Sequence, residues 1–210
     1  MKKVGIMGGT FNPIHLGHLM LAENAYDFYK LDEVWFIPAA DPPHKAGQPI
    51  LDYYHRSRMT ELAIENIPYF IKYDFEAQRA ERSYTAETLR LLHKKYSDVE
   101  FYFIMGADSL FQIETWYAPE RVMAQAILLV ALRDHHSDEE MEKQIEYLKK
   151  KYDAHIQLMS MPGIDLSSNL IRQRTANDET IRFFVPEPVR NYILQYNLYR
   201  GDGTQDDIHN

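Results

Sequence analysis

Short apolar runs alternate along this chain with longer segments whose apolar residues recur at helical spacing. The runs predicted as strands cover residues 4–7, 34–37, 70–75, 100–105, 126–132 and 155–159. The predicted helices cover residues 16–29, 54–66, 85–96, 137–152, 167 or 168 to 174, and 188–196. In the first helix, Leu16, Leu19, Met20 and Tyr26 follow the helical repeat.

This alternation of strands and helices predicts parallel strand pairing. We therefore expect an α/β fold: a Rossmann-like, doubly wound parallel sheet in a single domain with C-terminal helices. Residues 1–200 are assigned to this domain, and the polar, acidic residues 201–210 to a disordered tail. Ligands of such folds bind beyond the carboxyl ends of the strands, at the switch point. Gly8, Gly106 and Arg133 each follow a predicted strand, so we expect them to border one site.

Composition narrows the functional classes. The chain has 210 residues, a formal net charge of −8 and 45% hydrophobic residues. This acidic balance argues against nucleic acid as a partner, although a phosphate pocket needs only a few local cations. No apolar run reaches membrane-spanning length, no secretory signal is recognised, and cysteine is absent. We expect a cytoplasmic protein without disulfides, thiolate metal sites or thiol catalysis.

The segment at 8–18 reads Gly-Gly-Thr-Phe-Asn-Pro-Ile-His-Leu-Gly-His and directly follows the first predicted strand. Glycines let backbone N–H groups approach a bulky anion closely. His15 and His18 share one face if a helix begins there, which suits a phosphate that gains charge during a reaction. Each feature taken alone has another interpretation. Two histidines at this spacing also occur on protein surfaces or as half of a metal site, and Gly-Gly also occurs in ordinary turns. The segment is neither a Walker loop nor a dinucleotide fingerprint.

A second candidate site lies near the carboxyl end of the chain. Ser167 and Ser168 precede or begin a predicted helix, and Arg172 follows one turn later. Hydroxyls and unpaired N–H groups at a helix start bind anions, and an arginine fork can hold phosphate oxygens. The alternative is an ordinary helix cap followed by a solvated arginine.

Together the two segments resemble the signatures of the nucleotidyltransferase superfamily, His-x-Gly-His and Ile-Ser-Ser-Thr-x-x-Arg. Three positions depart from that pattern: Asn12 stands where aspartate is common, Leu166 replaces isoleucine and Asn169 replaces threonine. The resemblance implies catalytic roles for His15, His18 and Arg172. It implies ATP contacts for Gly8, Gly9, Thr10, Phe11, His18, Gly106, Leu166, Ser167, Ser168 and Arg172.

Over nearly its whole length, to about Tyr199, the chain resembles the bacterial nicotinate-mononucleotide adenylyltransferase family. The matching segments are 42–45, 83–85, 106–108 and 116–117. The resemblance implies adenylyl transfer from ATP to nicotinate mononucleotide, with Mg²⁺ arriving with ATP and no protein metal ligand assigned. The acceptor-binding residues that it implies are His44, Lys45, Thr85, Asp108, Trp116, Tyr117 and Arg133.

Thr85 is also the predicted N-cap of a helix, where backbone amides favour an anion such as the nicotinate carboxylate. By resemblance, Trp116 stacks on the nicotinate ring, and the amides of Thr85 and Tyr117 hold its carboxylate. Arg56 and Arg58 are interpreted as surface residues.

Several alternatives stay open at this point. The same reaction on nicotinamide mononucleotide or phosphopantetheine is one, and a non-catalytic nucleotide sensor is another. A hydride-transfer enzyme is disfavoured by the glycine spacing. The oligomeric state is undetermined, with a homodimer among the alternatives.

Overall fold

The computed structural model describes residues 1–41, 50–75, 83–132, 137–160 and 165–200. In these ranges the strands are β1 (Lys2–Gly9), β2 (Glu33–Pro38), β3 (Phe70–Lys72), β4 (Val99–Gly106), β5 (Ile127–Leu132) and β6 (Ile156–Ser160). The helices are α1 (Leu16–Tyr29), α2 (Tyr53–Ile64), α3 (Thr85–Lys95), α4 (Ala107–Gln112), α5 (Pro119–Gln125), α6 (Asp138–Tyr152), α7 (Ser168–Ala176) and α8 (Glu187–Gln195). A 3-10 turn over Ile113–Thr115 lies between α4 and α5. The predicted tail at 201–210 lies outside the described residues.

The strands form one parallel sheet in the order β3-β2-β1-β4-β5-β6. Strands β2 and β3 follow β1 on one side, and β4, β5 and β6 follow on the other side of β1. The switch point therefore lies between the carboxyl ends of β1 and β4, where crevices for ligands form in this architecture. The doubly wound α/β fold expected from the sequence is confirmed.

Both faces of the sheet are covered by helices. In β1, Ile6 packs into the cluster that includes residues of α3, α5 and α6, whereas Met7 packs into the cluster of α1, α2 and α8. Burial on both faces explains why the strands read as continuous apolar runs rather than as alternating patterns. Among the described residues, no helix combines the length and the apolarity that a bilayer crossing needs.

Most predicted elements match the observed ones to within two residues. Ser137 caps α6 through a hydrogen bond from the Glu140 amide, and Pro188 lies in the first turn of α8. The third strand is shorter than predicted and ends at Lys72. The sequence analysis predicts no element between 107 and 125, where the structure has α4, the 3-10 turn and α5. These short elements do not complete enough turns to display a helical repeat.

Candidate functional site

The site begins where β1 ends in the glycine turn. Gly8 is still in register with Ile37 of β2, so the turn emerges at the carboxyl edge of the sheet. A Cβ on Gly9 would lie 3.0 Å from the Phe11 ring, which is tight for any side chain. Phe11 has a left-handed φ of 48° and a buried ring that packs on Phe36, with 6.1 Å between ring centroids. The buried ring therefore anchors a turn whose backbone is sharply bent.

The two histidines of the predicted pair stack on each other at the start of α1. Their ring centroids are 3.7 Å apart, and the ring of Phe11 meets His18 edge-on at 5.2 Å. The backbone N–H of His15 donates to Nδ1 of His18 over 3.3 Å. A neutral His18 ring therefore carries its proton on Nε2, where it can donate to an anion. His15 is only 4% exposed, whereas His18 is half-buried.

Gly17 is required by the packing of these histidines. A Cβ at this position would lie 3.1 Å from Nδ1 of His15 and 3.8 Å from Cβ of Leu166. Leu166 belongs to the second sequence segment and is buried. The missing side chain thus lets the His15 ring and the residue before the α7 cap approach the first turn of α1.

Helix α7 is hydrogen-bonded to the loop that precedes the histidines. Ser167 is its N-cap and accepts from the Leu170 amide, as predicted. The hydroxyl of Ser168 donates to the Pro13 carbonyl over 2.9 Å, and Nη1 of Arg172 donates to the Asn12 carbonyl over 2.9 Å. The structure therefore brings together two segments that lie about 155 residues apart in the sequence.

The side chain of Asn12 forms the centre of a second set of hydrogen bonds. Its buried Oδ1 accepts from the Tyr199 hydroxyl over 2.9 Å and from the Leu51 amide over 3.4 Å. Burial raises the pKa of the Tyr199 hydroxyl, so that group stays protonated and donates at neutral pH. The segment after α8 is thereby hydrogen-bonded to the loop between the glycine turn and the histidines.

Replacing Tyr199 with phenylalanine is expected to lower the free energy of unfolding by about 1 kcal/mol, because buried Asn12 loses a hydrogen-bond donor. For a chain of this size that corresponds to a fall in Tm of roughly 2–4 °C, measurable by calorimetry. Tyr196→Phe, an exposed tyrosine three residues earlier, is the matched control and should leave Tm unchanged. Equal Tm values for the two variants would contradict the importance of the bond to Asn12.

Three of the residues predicted to bind the acceptor lie on the α3 start and the segment after the 3-10 turn: Thr85, Trp116 and Tyr117. The rings of Tyr84 and Tyr117 approach to 4.4 Å between centroids, which brings these two segments together. Tyr117 is 50% exposed, and half-buried Trp116 meets Phe103 of β4 edge-on at 5.9 Å.

The predicted N-cap of α3 is wrong by one residue. The helix begins at Thr85 itself, and Tyr84 is the N-cap in an extended conformation, with its carbonyl accepting from the amides of Glu87 and Thr88. An extended backbone is the usual conformation of an N-cap residue. The amide of Thr85 is nevertheless in the first turn, where a helix offers it no carbonyl.

Gly106 and Asp108 lie at the switch point, opposite the glycine turn. Gly106 ends β4 and is the N-cap of α4, and Asp108 is exposed in the first turn of that helix. The predicted acceptor residues His44, Lys45 and Arg133 lie outside the described residues.

Arg56 was interpreted from the sequence as a surface residue, and the structure shows that this is wrong. Its side chain is 1% exposed and donates to backbone carbonyls, whereas Arg58 is exposed and paired with Glu61 as expected. A signal was available, because Arg56 shares the helical repeat of buried Met59 and Ala63. Sequence reasoning missed this residue by weighing its charge and not its position on the buried face.

Comparison with known proteins agrees with this arrangement. The family profile described as "Cytidylyltransferase-like" matches residues 6–174. A protein of Lachnoclostridium phytofermentans named "Probable nicotinate-nucleotide adenylyltransferase" is 47% identical over 199 residues, which cover 95% of this chain and 100% of the relative. A protein of the same name from Clostridium botulinum is 41% identical, covering 95% of this chain and 99% of the relative.

Solved structures with a similar fold include an enzyme from the parasite Plasmodium falciparum. Its nicotinic acid mononucleotide adenylyltransferase complexed with NaAD superposes with a TM-score of 0.79 at 22% identity, covering 95% of this chain and 98% of that one. The same enzyme complexed with APC gives a TM-score of 0.76 at the same identity and coverage. At this identity the likeness concerns the fold.

Proposed function

The chain belongs to the cytidylyltransferase-like family, and within it to the nicotinate-nucleotide adenylyltransferases; from this premise we propose that it transfers the adenylyl group of ATP to nicotinate mononucleotide. A phosphate oxygen of the acceptor attacks the α-phosphorus of ATP. The bond from that phosphorus to the oxygen bridging to the β-phosphate breaks, so that pyrophosphate leaves and nicotinate adenine dinucleotide forms. The attacking phosphate is already ionised at neutral pH, so no general base is needed.

The observation that carries this proposal is the pairing of α7 with the loop before the histidines. Ser168 and Arg172 donate to the carbonyls of Pro13 and Asn12, which fixes both polar segments at the carboxyl edge of β1. Glycine amides, a histidine N–H, the Ser167 hydroxyl, the amides at the start of α7 and a guanidinium are all donors, and donors suit a polyphosphate. Catalysis by such a site is positioning together with stabilisation of charge in the transition state.

Within this mechanism His18 is the main donor to the phosphate oxygens. Its Nδ1 accepts from the His15 amide, which leaves the protonated Nε2 as the donating atom. His15, 4% exposed and stacked on His18, makes the smaller contribution. Ser167, Ser168 and Arg172 hold the β- and γ-phosphates, and the backbone of the glycine turn approaches the nucleotide.

Mg²⁺ fits this site as an ion bound to the nucleotide. Among the described ranges, no group of three or more histidine, cysteine, aspartate or glutamate side chains could hold a metal ion. Phosphate oxygens of ATP together with water molecules would supply its ligands, as is usual for this ion. When bound it neutralises charge on the phosphates.

The acceptor is proposed to lie between the α3 start and the Trp116–Tyr117 segment. The indole of Trp116 stacks on the pyridine ring, and the amides of Thr85 and Tyr117 bind the carboxylate. Asp108 contacts the acceptor from α4, and His44, Lys45 and Arg133 contribute to its binding. The helix start favours a charged carboxylate over a neutral amide, because amide donors and the dipole both act on the negative charge.

Pyrophosphate release with Mg-ATP tests the proposed function, with nicotinate mononucleotide, nicotinamide mononucleotide and phosphopantetheine compared as acceptors. We expect the first to be preferred over the second by about 2–4 kcal/mol, or roughly 30- to 700-fold in kcat/KM. Release with another acceptor only would refute the acceptor pocket while keeping the phosphate chemistry. No release from a folded protein that binds ATP would favour a nucleotide sensor. We also propose a homodimer, which sedimentation of the same preparation tests. A cytoplasmic location is part of the same proposal.

Replacing Trp116 with alanine is expected to raise the KM for nicotinate mononucleotide about tenfold, since stacking on an aromatic ring contributes about 1–3 kcal/mol per base. The KM for ATP should change little, because Trp116 lies on the acceptor side. Phe28→Ala removes an exposed aromatic ring at the end of α1 and is the matched control. Equal losses for both substrates would point to a folding defect and contradict the stacking role.

A further inference from the structure

Arg56 is the largest fully buried side chain among the described residues, and it lies next to the proposed site. Its Nε donates to the Leu51 carbonyl over 2.9 Å. Its Nη1 donates to the carbonyls of Thr10 and Ala39 over 2.8 and 2.7 Å, and its Nη2 donates to that of Ala40 over 3.2 Å. Each of these acceptors is a backbone atom, so a single side chain determines the relative positions of several chain segments.

The four carbonyls belong to three segments. Thr10 is in the glycine turn that is proposed to receive ATP. Ala39 and Ala40 follow β2, and Leu51 precedes α2. Ala40 and Asp41 are in turn bonded to the Ser83 hydroxyl, just before the start of α3 on the acceptor side of the proposed site. Arg56 therefore links the ATP-binding turn to residues 39–41, which are called the acceptor-side segment below.

Further bonds join the same three segments in parallel. The Ala39 amide donates to the Gly9 carbonyl over 2.8 Å, and the Leu51 amide donates to Asn12 Oδ1. The Ser83 hydroxyl oxygen accepts from the amides of Ala40 and Asp41 over 2.9 and 3.2 Å. The glycine turn, the segment after β2 and the segment before α2 therefore form one hydrogen-bonded unit, in which the Arg56 fork is the side chain that contacts all three.

Only arginine suits this position. Its planar guanidinium carries five N–H groups in a rigid fork, so it can serve carbonyls that lie in several directions. Lysine keeps the charge but concentrates its three donors on one atom. The single Nζ of a lysine cannot donate to the Leu51 carbonyl and to the three other carbonyls at the same time.

We propose that Arg56 is a positioning residue for adenylyl transfer, which sets the distance between the ATP-binding turn and the acceptor-side segment without touching either substrate. The proposal rests on the proposed function. In-line attack requires the reacting oxygen and phosphorus to be aligned closely, and a misplacement of about 1 Å can cost about 100-fold in rate. Loss of the fork should therefore lower kcat more than it changes either KM.

The test compares Arg56→Lys with Arg58→Lys, a matched control two residues along the same helix on an exposed arginine. Both are assayed well below their Tm. We expect Arg56→Lys to lower kcat about 10- to 100-fold while both KM values change less than about threefold. Arg58→Lys should behave as the wild type. A kcat equal to the wild type in folded Arg56→Lys, or a loss that appears only as lowered Tm, would overturn the proposal.

Hydrogen exchange provides a readout that does not depend on turnover. In Arg56→Lys, amides at 8–12, 39–41 and 50–52 should exchange at least about tenfold faster, while those of β5 and β6 keep their protection. Uniformly faster exchange would indicate general destabilisation and overturn the positioning role. A wild-type chain that releases no pyrophosphate would refute the proposed function, and the exchange pattern would then still decide whether Arg56 holds the three segments.

Ser83→Ala keeps the proposal testable if Arg56→Lys does not fold. This change removes the hydroxyl that accepts from the amides of Ala40 and Asp41, so it loosens the segment after β2 without altering the buried guanidinium. A fall in kcat with unchanged affinity for ATP would support control of the reaction by this segment. An unchanged kcat together with faster exchange at 39–41 would overturn the proposal.

Discussion

Replacing His18 with alanine is expected to lower kcat by about 10²–10³-fold, the usual cost of losing one donor to charge that develops in a transition state. The reason lies in the hydrogen bonding of the ring: the His15 amide donates to Nδ1, so a neutral ring carries its proton on Nε2, the atom proposed to donate to a phosphate oxygen. The KM values should change much less than kcat. The measurement is pyrophosphate release at saturating Mg-ATP and nicotinate mononucleotide.

Two further variants make this experiment specific. His18→Gln retains an N–H at about the reach of Nε2 and should recover part of the lost rate. His155→Ala removes an exposed histidine just before β6, at the opposite edge of the sheet from the site, and should leave kcat unchanged. A folded His18→Ala protein with near-normal turnover would remove His18 from the transition state.

Replacing Arg172 with alanine is expected to weaken ATP binding by roughly 10- to 100-fold, because a hydrogen bond to a charged group contributes about 1.5–3 kcal/mol. The guanidinium has an additional structural partner in the Asn12 carbonyl, 2.9 Å from Nη1. Its loss should therefore also loosen the loop before the histidines and lower kcat. Calorimetric titration with Mg-ATP in the absence of acceptor measures the affinity directly.

Arg174→Ala is the matched control for that titration. Arg174 lies two residues further along α7 and binds the Thr180 carbonyl and Glu179, away from the Asn12 loop. Its replacement should leave the affinity for ATP unchanged. Arg172→Lys retains the charge without the fork and should give an intermediate affinity. Unchanged ATP affinity in Arg172→Ala would exclude this residue from the triphosphate site.

Much of the fold could be predicted from the sequence because the strands are buried on both faces. The run at 100–105 is almost wholly apolar, and it became β4, Val99–Gly106. The cap at Ser167 was predictable for a local reason, since its hydroxyl accepts an amide three residues later in the same chain segment. Such signals depend only on near neighbours in the sequence.

Other features depend on contacts between residues that are distant in the sequence. Tyr84 rather than Thr85 caps α3, and the ring of Tyr117 is the contact associated with it. The 107–125 region folds into short helices against β4 and β5, and its periodicity is too brief to predict them. The buried fork of Arg56 conflicts with the usual exposure of arginine, and three chain segments had to converge to satisfy it.

The sequence by itself determined the class of the fold and, through its two motifs, the polyphosphate chemistry of the site, because apolar periodicity and turn residues act within a few positions of one another. It also contained the residues that we propose bind the phosphates: His18, Ser168 and Arg172. Only the tertiary structure decided how these residues are placed relative to one another. Arg172 of α7 donates to the Asn12 carbonyl, and the Tyr199 hydroxyl donates to the Asn12 side chain in the same loop. Contacts between residues more than a hundred positions apart arise from packing both layers of helices on one sheet, which no local pattern encodes.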